Sequence, residues 1–155
     1  MANFSKRVQK TGKGREHSFI QLPHYILKSE EFGRLTAYEL KALLELAKEY
    51  KGNNNGDLSV TYKTAKHRGW RSAGTLSAAV KGLERKRWTL CTRHGGSHRC
   101  NLYAITWWPL NECDGKSLYK AESKPRHEWR ENTLGSRNAD SSDRYADSND
   151  DSQPK

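Results

Sequence analysis

Leu40, Leu43, Leu44 and Ala47 recur at helical spacing behind Thr36-Ala37-Tyr38-Glu39, which predicts a core-facing helix over 37–50. Its start is a capping box: the Thr36 hydroxyl can accept from a free backbone N–H while Glu39 reaches back. Lys51-Gly52-Asn53-Asn54-Asn55-Gly56 ends it, because Gly and Asn tolerate positive φ. Residues 62–68 form a short second helix that stops at Gly69, with Thr61 as its cap. After the turn Gly69-Trp70-Arg71-Ser72, Ser72 caps a third helix over 73–87. Leu76, Val80 and Leu83 share one side of that helix, with Ala73 and Ala79 near its edges, and face helix 37–50. Residues 88–94 and 98–107 alternate as strands, and a two-residue Gly95-Gly96 turn would pair 94 with 97, 93 with 98 and 91 with 100. Short strands are also expected at 18–22 and 58–61, with a helical turn over 24–28 behind Pro23.

Helix, turn, helix, hairpin is the order of a winged helix-turn-helix: an α+β fold with a three-helix core and a β-hairpin wing. The domain is expected to span 17–108. A flexible basic arm, 1–16, precedes it. An extension, 109–131, holds Leu110, Leu118, Tyr119 and Trp129 and packs partly on the domain. From about residue 132 the chain is Ser, Asp and Asn with almost no apolar positions, so 132–155 is expected to be a disordered acidic tail.

Charge narrows the function. The chain carries 28 Lys+Arg against 18 Asp+Glu, a net charge of +10. Residues 136–155 hold Arg137, Arg144 and Lys155 against Asp140, Asp143, Asp147, Asp150 and Asp151, a net −2, so the remaining chain carries +12. Such a surplus favours a polyanion. The arm adds Lys6, Arg7, Lys10, Lys13 and Arg15 but no apolar face, which argues against membrane-surface binding and against a secretory signal. No apolar run approaches the ~20 residues of a membrane span. Cys91, Cys100 and Cys113 are an odd count, and without an export signal reduced thiols in a cytoplasm are expected.

On the third helix, the side opposite the apolar stripe holds Arg71, Gly74, Thr75, Ala78, Lys81, Gly82 and Arg85. Its N-terminal half is small apart from Arg71, so the helix can sit deep in a major groove. Arg71, Gly74, Thr75 and Ala78 are therefore the base-contact candidates. Lys81, Arg85, Lys86 and Arg87 would follow phosphates. So would Lys63, Lys66, His67 and Arg68 of the preceding helix, which crosses the backbone in such docking. The wing adds Arg93, His94, His98 and Arg99. A solvated basic face is the plainer reading of these charges, and only their agreement with the turn and the hairpin favours DNA.

Other chemistries are less well supported. Cys91, His94, His98 and Cys100 spell C-x2-H-x3-H-x-C, all zinc-ligand types. In the expected register, however, Cys91 and His94 point to opposite faces, so free side chains are preferred and no cofactor is expected. Trp70 is read as a plug between the two helices, and Trp88, Tyr103, Ile105 and Trp107 as the inner face of the sheet. Glu30-Glu31 and Glu45/Glu49 lie on expected exposed faces. No phosphate-binding glycine loop, nucleophile elbow or His-Glu-x2-His motif is present, so no enzyme is expected.

Several segments carry a resemblance. They are Phe19-Ile20-Gln21-Leu22-Pro23 before Ser29, Leu35-Thr36 opening a long helix, and Tyr50-Lys51-Gly52-Asn53-Asn54-Asn55-Gly56. Leu83-Glu84-Arg85 before the wing and Leu102-Tyr103-Ala104-Ile105-Thr106-Trp107 closing it complete the set. In these, residues 19–108 resemble the winged-helix domain of plasmid and phage replication initiators (replisome organisers) and small helix-turn-helix proteins of mobile elements. Arg87-Trp88-Thr89 departs from the usual Gly-Phe-Ile step into the wing. The resemblance implies sequence-specific binding of double-stranded DNA, often as a homodimer on repeats, together with replication or transcription proteins. A second folded domain, which initiators commonly carry, is not expected here, and this favours a regulator. The expected protein is a cytoplasmic, nucleoid-associated DNA binder. The alternative is a winged-helix protein-interaction module that does not read DNA, using the segment 108–129.

Overall fold

Side-chain caps start four of the five α-helices among the described residues. A computed structural model describes residues 19–131. The expectations for the arm 1–16 and the tail 132–155, and Ser18, lie outside the described residues. Pro23 is the N-cap of α1 (His24–Leu27), one position earlier than expected. The Ser29 hydroxyl donates to the Ile26 carbonyl at 2.7 Å and accepts from Phe32 N–H at 3.2 Å, closing α1 and opening α2 (Glu30–Gly33). The capping box opens α3 (Ala37–Ala47): Glu39 N–H donates to the Thr36 hydroxyl at 3.3 Å, and Thr36 N–H to the Glu39 carboxylate at 2.8 Å. Thr61 caps α4 (Tyr62–Ala65), which tightens into a 3-10 turn, Lys66–Arg68. Gly69 then takes the left-handed region at φ 76°, open to glycine without steric cost. Ser72 caps α5 (Ala73–Arg85) through Thr75 N–H at 3.0 Å.

The fold is α+β. Leu76, Ala79, Val80 and Leu83 of α5 are buried with Ala42, Leu43, Leu46 and Ala47 of α3 in one core. Ala73, expected at the edge of that face, is exposed. Gly82, expected on the opposite face, is buried. A Cβ there would overlap the Glu39 carboxylate, so the glycine permits the close approach of the two helices. Trp88, Tyr103, Ile105 and Trp107 join the same core, and Trp70 is buried there beside Tyr38.

The hairpin departs from its expected register. β1 (Thr89–Arg93) pairs antiparallel with β2 (Leu102–Ile105): Thr89 faces Ile105, Leu90 faces Ala104, Cys91 faces Tyr103 and Arg93 faces Leu102. Thr92 is the extra residue of a bulge. Its fully buried hydroxyl donates to the Gly56 carbonyl at 2.6 Å, drawing the strand out of step. The tip then turns at Ser97-His98, closed by the Gly96–Arg99 bridge with His98 at φ 64°, rather than at Gly95-Gly96. Gly95 lies where the two arms touch. Its N–H donates to Asn101 at 2.6 Å, and a Cβ would crowd the backbone of 99–101. Both strands are shorter than expected. Residues 19–22 form no strand, and 58–61 shrinks to one bridge, Leu58 to Tyr103, because Thr61 serves as a helix cap.

The segment after β2 adds a third layer. Leu90 and Ala104, on the sheet face away from the helices, share a crevice with Leu110 and Arg126. Backbone bonds tie Leu118 N–H to Thr92, Glu122 N–H to Leu110 and His127 N–H to Thr106. The segment ends in a 3-10 turn (Glu128–Glu131) whose Trp129 is buried and stacks on Trp88 at 4.8 Å. Trp108 stacks on Tyr50 at 4.0 Å.

Glu45, expected to be exposed, is only 6% exposed. It sits on the edge of the α3 core face, where Arg68 donates two hydrogen bonds of 2.9 Å and Lys48 lies at 2.8 Å. Burial pushes its carboxyl up, but the hydrogen bonds and charges of Arg68 and Lys48 outweigh this and hold it at about 2, against an ordinary 4.5. A depressed acid contributes stability that is complete above the unfolded value and lost as pH falls through the folded one. The melting temperature should therefore hold above pH 4.5 and fall toward pH 2, and Glu45→Gln should flatten that slope. Parallel curves for the two proteins in thermal unfolding from pH 6 to 2 would count against the assignment.

Candidate nucleic-acid interface

The turn between α4 and α5 is fixed from several sides. The Tyr62 hydroxyl donates to the Arg71 carbonyl at 3.3 Å. Lys41 donates to the Gly69 carbonyl at 3.1 Å and lies 5.1 Å from the Trp70 ring centroid. This anchoring leaves Arg71, Gly74 and Ala78 exposed at the N-terminal end of α5. Thr75 is half-buried, and its hydroxyl is hydrogen-bonded to that of Ser72 at 2.9 Å.

The basic candidates divide into two groups. Lys63, Lys66, Arg71, Lys81, Arg85 and Arg99 are exposed and have no acidic partner among the described residues. His67, His94 and His98 are exposed beside them. Three others, expected on phosphates, hold the protein together. Arg68 clamps buried Glu45. Lys86 donates to the Glu39 carboxylate at 2.7 Å and to the Arg34 carbonyl at 2.8 Å. Arg87 pairs with Glu131. Arg68 and Lys86 share a reason: Glu45 and Glu39 lie at the buried edges of α3, and a buried carboxylate requires a partner, whereas the Arg87–Glu131 pair is exposed on both sides. Glu39 was legible as a capping residue, and only its second partner was missed.

At the wing, Arg93 is half-buried, and its Nε has no hydrogen-bond partner among the described residues. Cys91 faces Tyr103 rather than Cys100. The Thr92 bulge also brings Cys91 Sγ to 3.6 Å from His94 Nδ1, on one side rather than on opposite faces. Cys91, His94, His98 and Cys100 do not converge, and among the described residues no group of three or more His, Cys, Asp or Glu is placed to hold a metal ion. Burial, helped by the charge of Glu84, pushes the Cys91 thiol up, so it stays protonated at neutral pH. Burial also pushes the Tyr103 phenol up to about 12.

Among the described residues, no helix is long and apolar enough to cross a membrane. Comparison with protein-family models, with curated proteins and with solved structures finds no match for this chain.

Proposed function

We propose that this chain is a winged helix-turn-helix protein that binds double-stranded DNA, the nucleoid-associated product of a mobile element acting in replication initiation or transcription control. In this reading α3, α4 and α5 are the three-helix core, the Leu58 bridge is the first strand, and β1 and β2 carry the wing. One observation carries it: exposed cations without acidic partners among the described residues line α4, the turn and α5, while Arg68 and Lys86 are neutralised by Glu45 and Glu39. An unneutralised row on a convex helix face matches a phosphate backbone. The small surface of Gly74 and Ala78 lets α5 approach base edges, with Arg71 as the side chain that reaches them. Homodimers on repeated sites, and replication or transcription proteins as further partners, belong to the same proposal.

Selection of binding sites from random duplexes is the test. Arg71→Ala is expected to relax preference at one or two positions, each by about 1–3 kcal/mol, while binding to unselected duplex persists. Uniform weak binding that ignores the substitution would sink base reading by α5. The alternative, a winged helix that binds only protein through 108–129, loses much of its surface. Trp129 is buried on Trp88, and Trp108 is stacked on Tyr50.

A further inference from the structure

The segment that covers the sheet is pinned along its length. Lys116 donates to Asp57 at 2.7 Å, Leu118 N–H to the Thr92 carbonyl at 2.9 Å, and Glu122 N–H to the Leu110 carbonyl at 2.8 Å. Arg126 binds Glu122 and Glu128 and lies 5.3 Å from the Tyr119 ring centroid. Asp57 and Glu122 are thereby neutralised. Outside these anchors, Leu118 is 76% exposed and Tyr119 41%. Lys120 and Lys124 are exposed without an acidic partner among the described residues. A lone exposed leucine is ordinary on a protein surface. Here it stands on a fixed strap, next to an aromatic ring and ahead of two unpaired lysines. Its own N–H is bonded to the residue before Arg93, the half-buried cation of the wing arm.

Resting on the duplex-binding reading above, we propose that the strap 116–124 is a second duplex contact. Lys120 and Lys124 meet phosphates, and Leu118 enters the edge of a minor groove as an apolar wedge. The chemistry suits that groove: cations hold its phosphate walls while a short branched side chain displaces water and opens a base step. A strap fixed before binding loses little entropy on docking, unlike a loop that must be ordered.

The test uses the full chain and a mixed-sequence duplex of about 30 base pairs, long enough to show a bend by energy transfer between end labels. Lys120→Ala with Lys124→Ala should weaken binding about tenfold near 0.1 M salt and lower the salt slope by about two. Leu118→Ala should keep that slope but lower the energy transfer, since a lost wedge straightens the duplex. Neither change touches a buried group, and both proteins should melt like the parent. If all three readings match the parent while Lys63→Ala with Lys81→Ala and Arg85→Ala lowers affinity about a hundredfold, the strap proposal falls and the duplex reading stands. If the parent chain binds no duplex, both fall.

Discussion

Replacing Lys63, Lys81 and Arg85 together by alanine is expected to lower duplex affinity by about two orders of magnitude near 0.1 M salt, with the melting temperature unchanged. The three side chains are exposed, carry no acidic partner among the described residues, and span α4 and α5. Each phosphate contact releases about 0.9 counterion from B-DNA, so the slope of log affinity against log salt should become shallower by about three. Arg68→Ala is the informative control. By charge alone it belongs to the same group, but its guanidinium clamps Glu45, whose side chain is almost fully buried. Its removal leaves a carboxylate with only Lys48 beside it, so the melting temperature should drop, while the salt slope changes less than for any one of the three. Equal salt slopes for the parent and the triple variant would refute the proposed docking face.

The difference between Arg68 and Lys63 marks where sequence reasoning stops. The starts and caps of α3, α4 and α5 were legible because they are local: Thr36 with Glu39, Thr61 and Ser72 lie within three or four residues of the groups they satisfy, whereas the single turn of α2 behind Ser29 was not read. The apolar stripe of Leu76, Val80 and Leu83 was legible for the same reason, since its period follows from helix geometry. Whether a cation is unpaired depends on an acid 23 residues away for Arg68 and 47 away for Lys86, and no spacing rule reaches that far. The wing failed on register. A Gly-Gly pair is a fair hairpin signal, but the turn lies two residues later, at Ser97-His98, so Cys91 meets Tyr103 instead of Cys100, and the bulge at Thr92, held by Gly56 36 residues upstream, shifts the register by one residue between Cys91 and Arg93. The bulge brings Cys91 to His94, and the displaced turn takes Cys100 away from Cys91, so the four residues of the zinc pattern do not converge. The aromatics of the extension were visible as apolar content, but their partners, Trp88 for Trp129 and Tyr50 for Trp108, depend on tertiary packing.

Asn55→Ala should be the most destabilising single change among the loop residues, at about 3 kcal/mol and a fall of about 15 °C in melting temperature. In the sequence Asn55 is one of three asparagines in a loop chosen for positive φ. In the structure Gly52 and Gly56 take those positions, at φ 99° and 126°, and Asn55 is fully buried. Its side-chain amide donates to the carbonyls of Ile105 at 2.9 Å, Trp108 at 3.1 Å and Pro109 at 3.0 Å, and its carbonyl oxygen accepts from Ile105 N–H at 2.7 Å. Its backbone N–H and carbonyl are bonded to Asn111. One side chain thus joins the loop after α3 to the end of β2 and to the start of the covering strap. Alanine leaves the Ile105 N–H and the Trp108 and Pro109 carbonyls without these bonds, the Ile105 carbonyl keeping the Trp108 N–H, in a crevice walled by Leu90, Ala104 and Leu110, where each lost partner costs its desolvation. Asn55→Asp separates the contributions. It keeps an acceptor for Ile105 N–H but sets a carboxylate oxygen against three carbonyls, so it should be no more stable than alanine at neutral pH and should recover in acid as the carboxyl gains a proton. A drop of only a few degrees for Asn55→Ala, or an Asp variant that loses stability in acid in step with the parent, would show that the hydrogen bonds of Asn55 do not hold these three layers together.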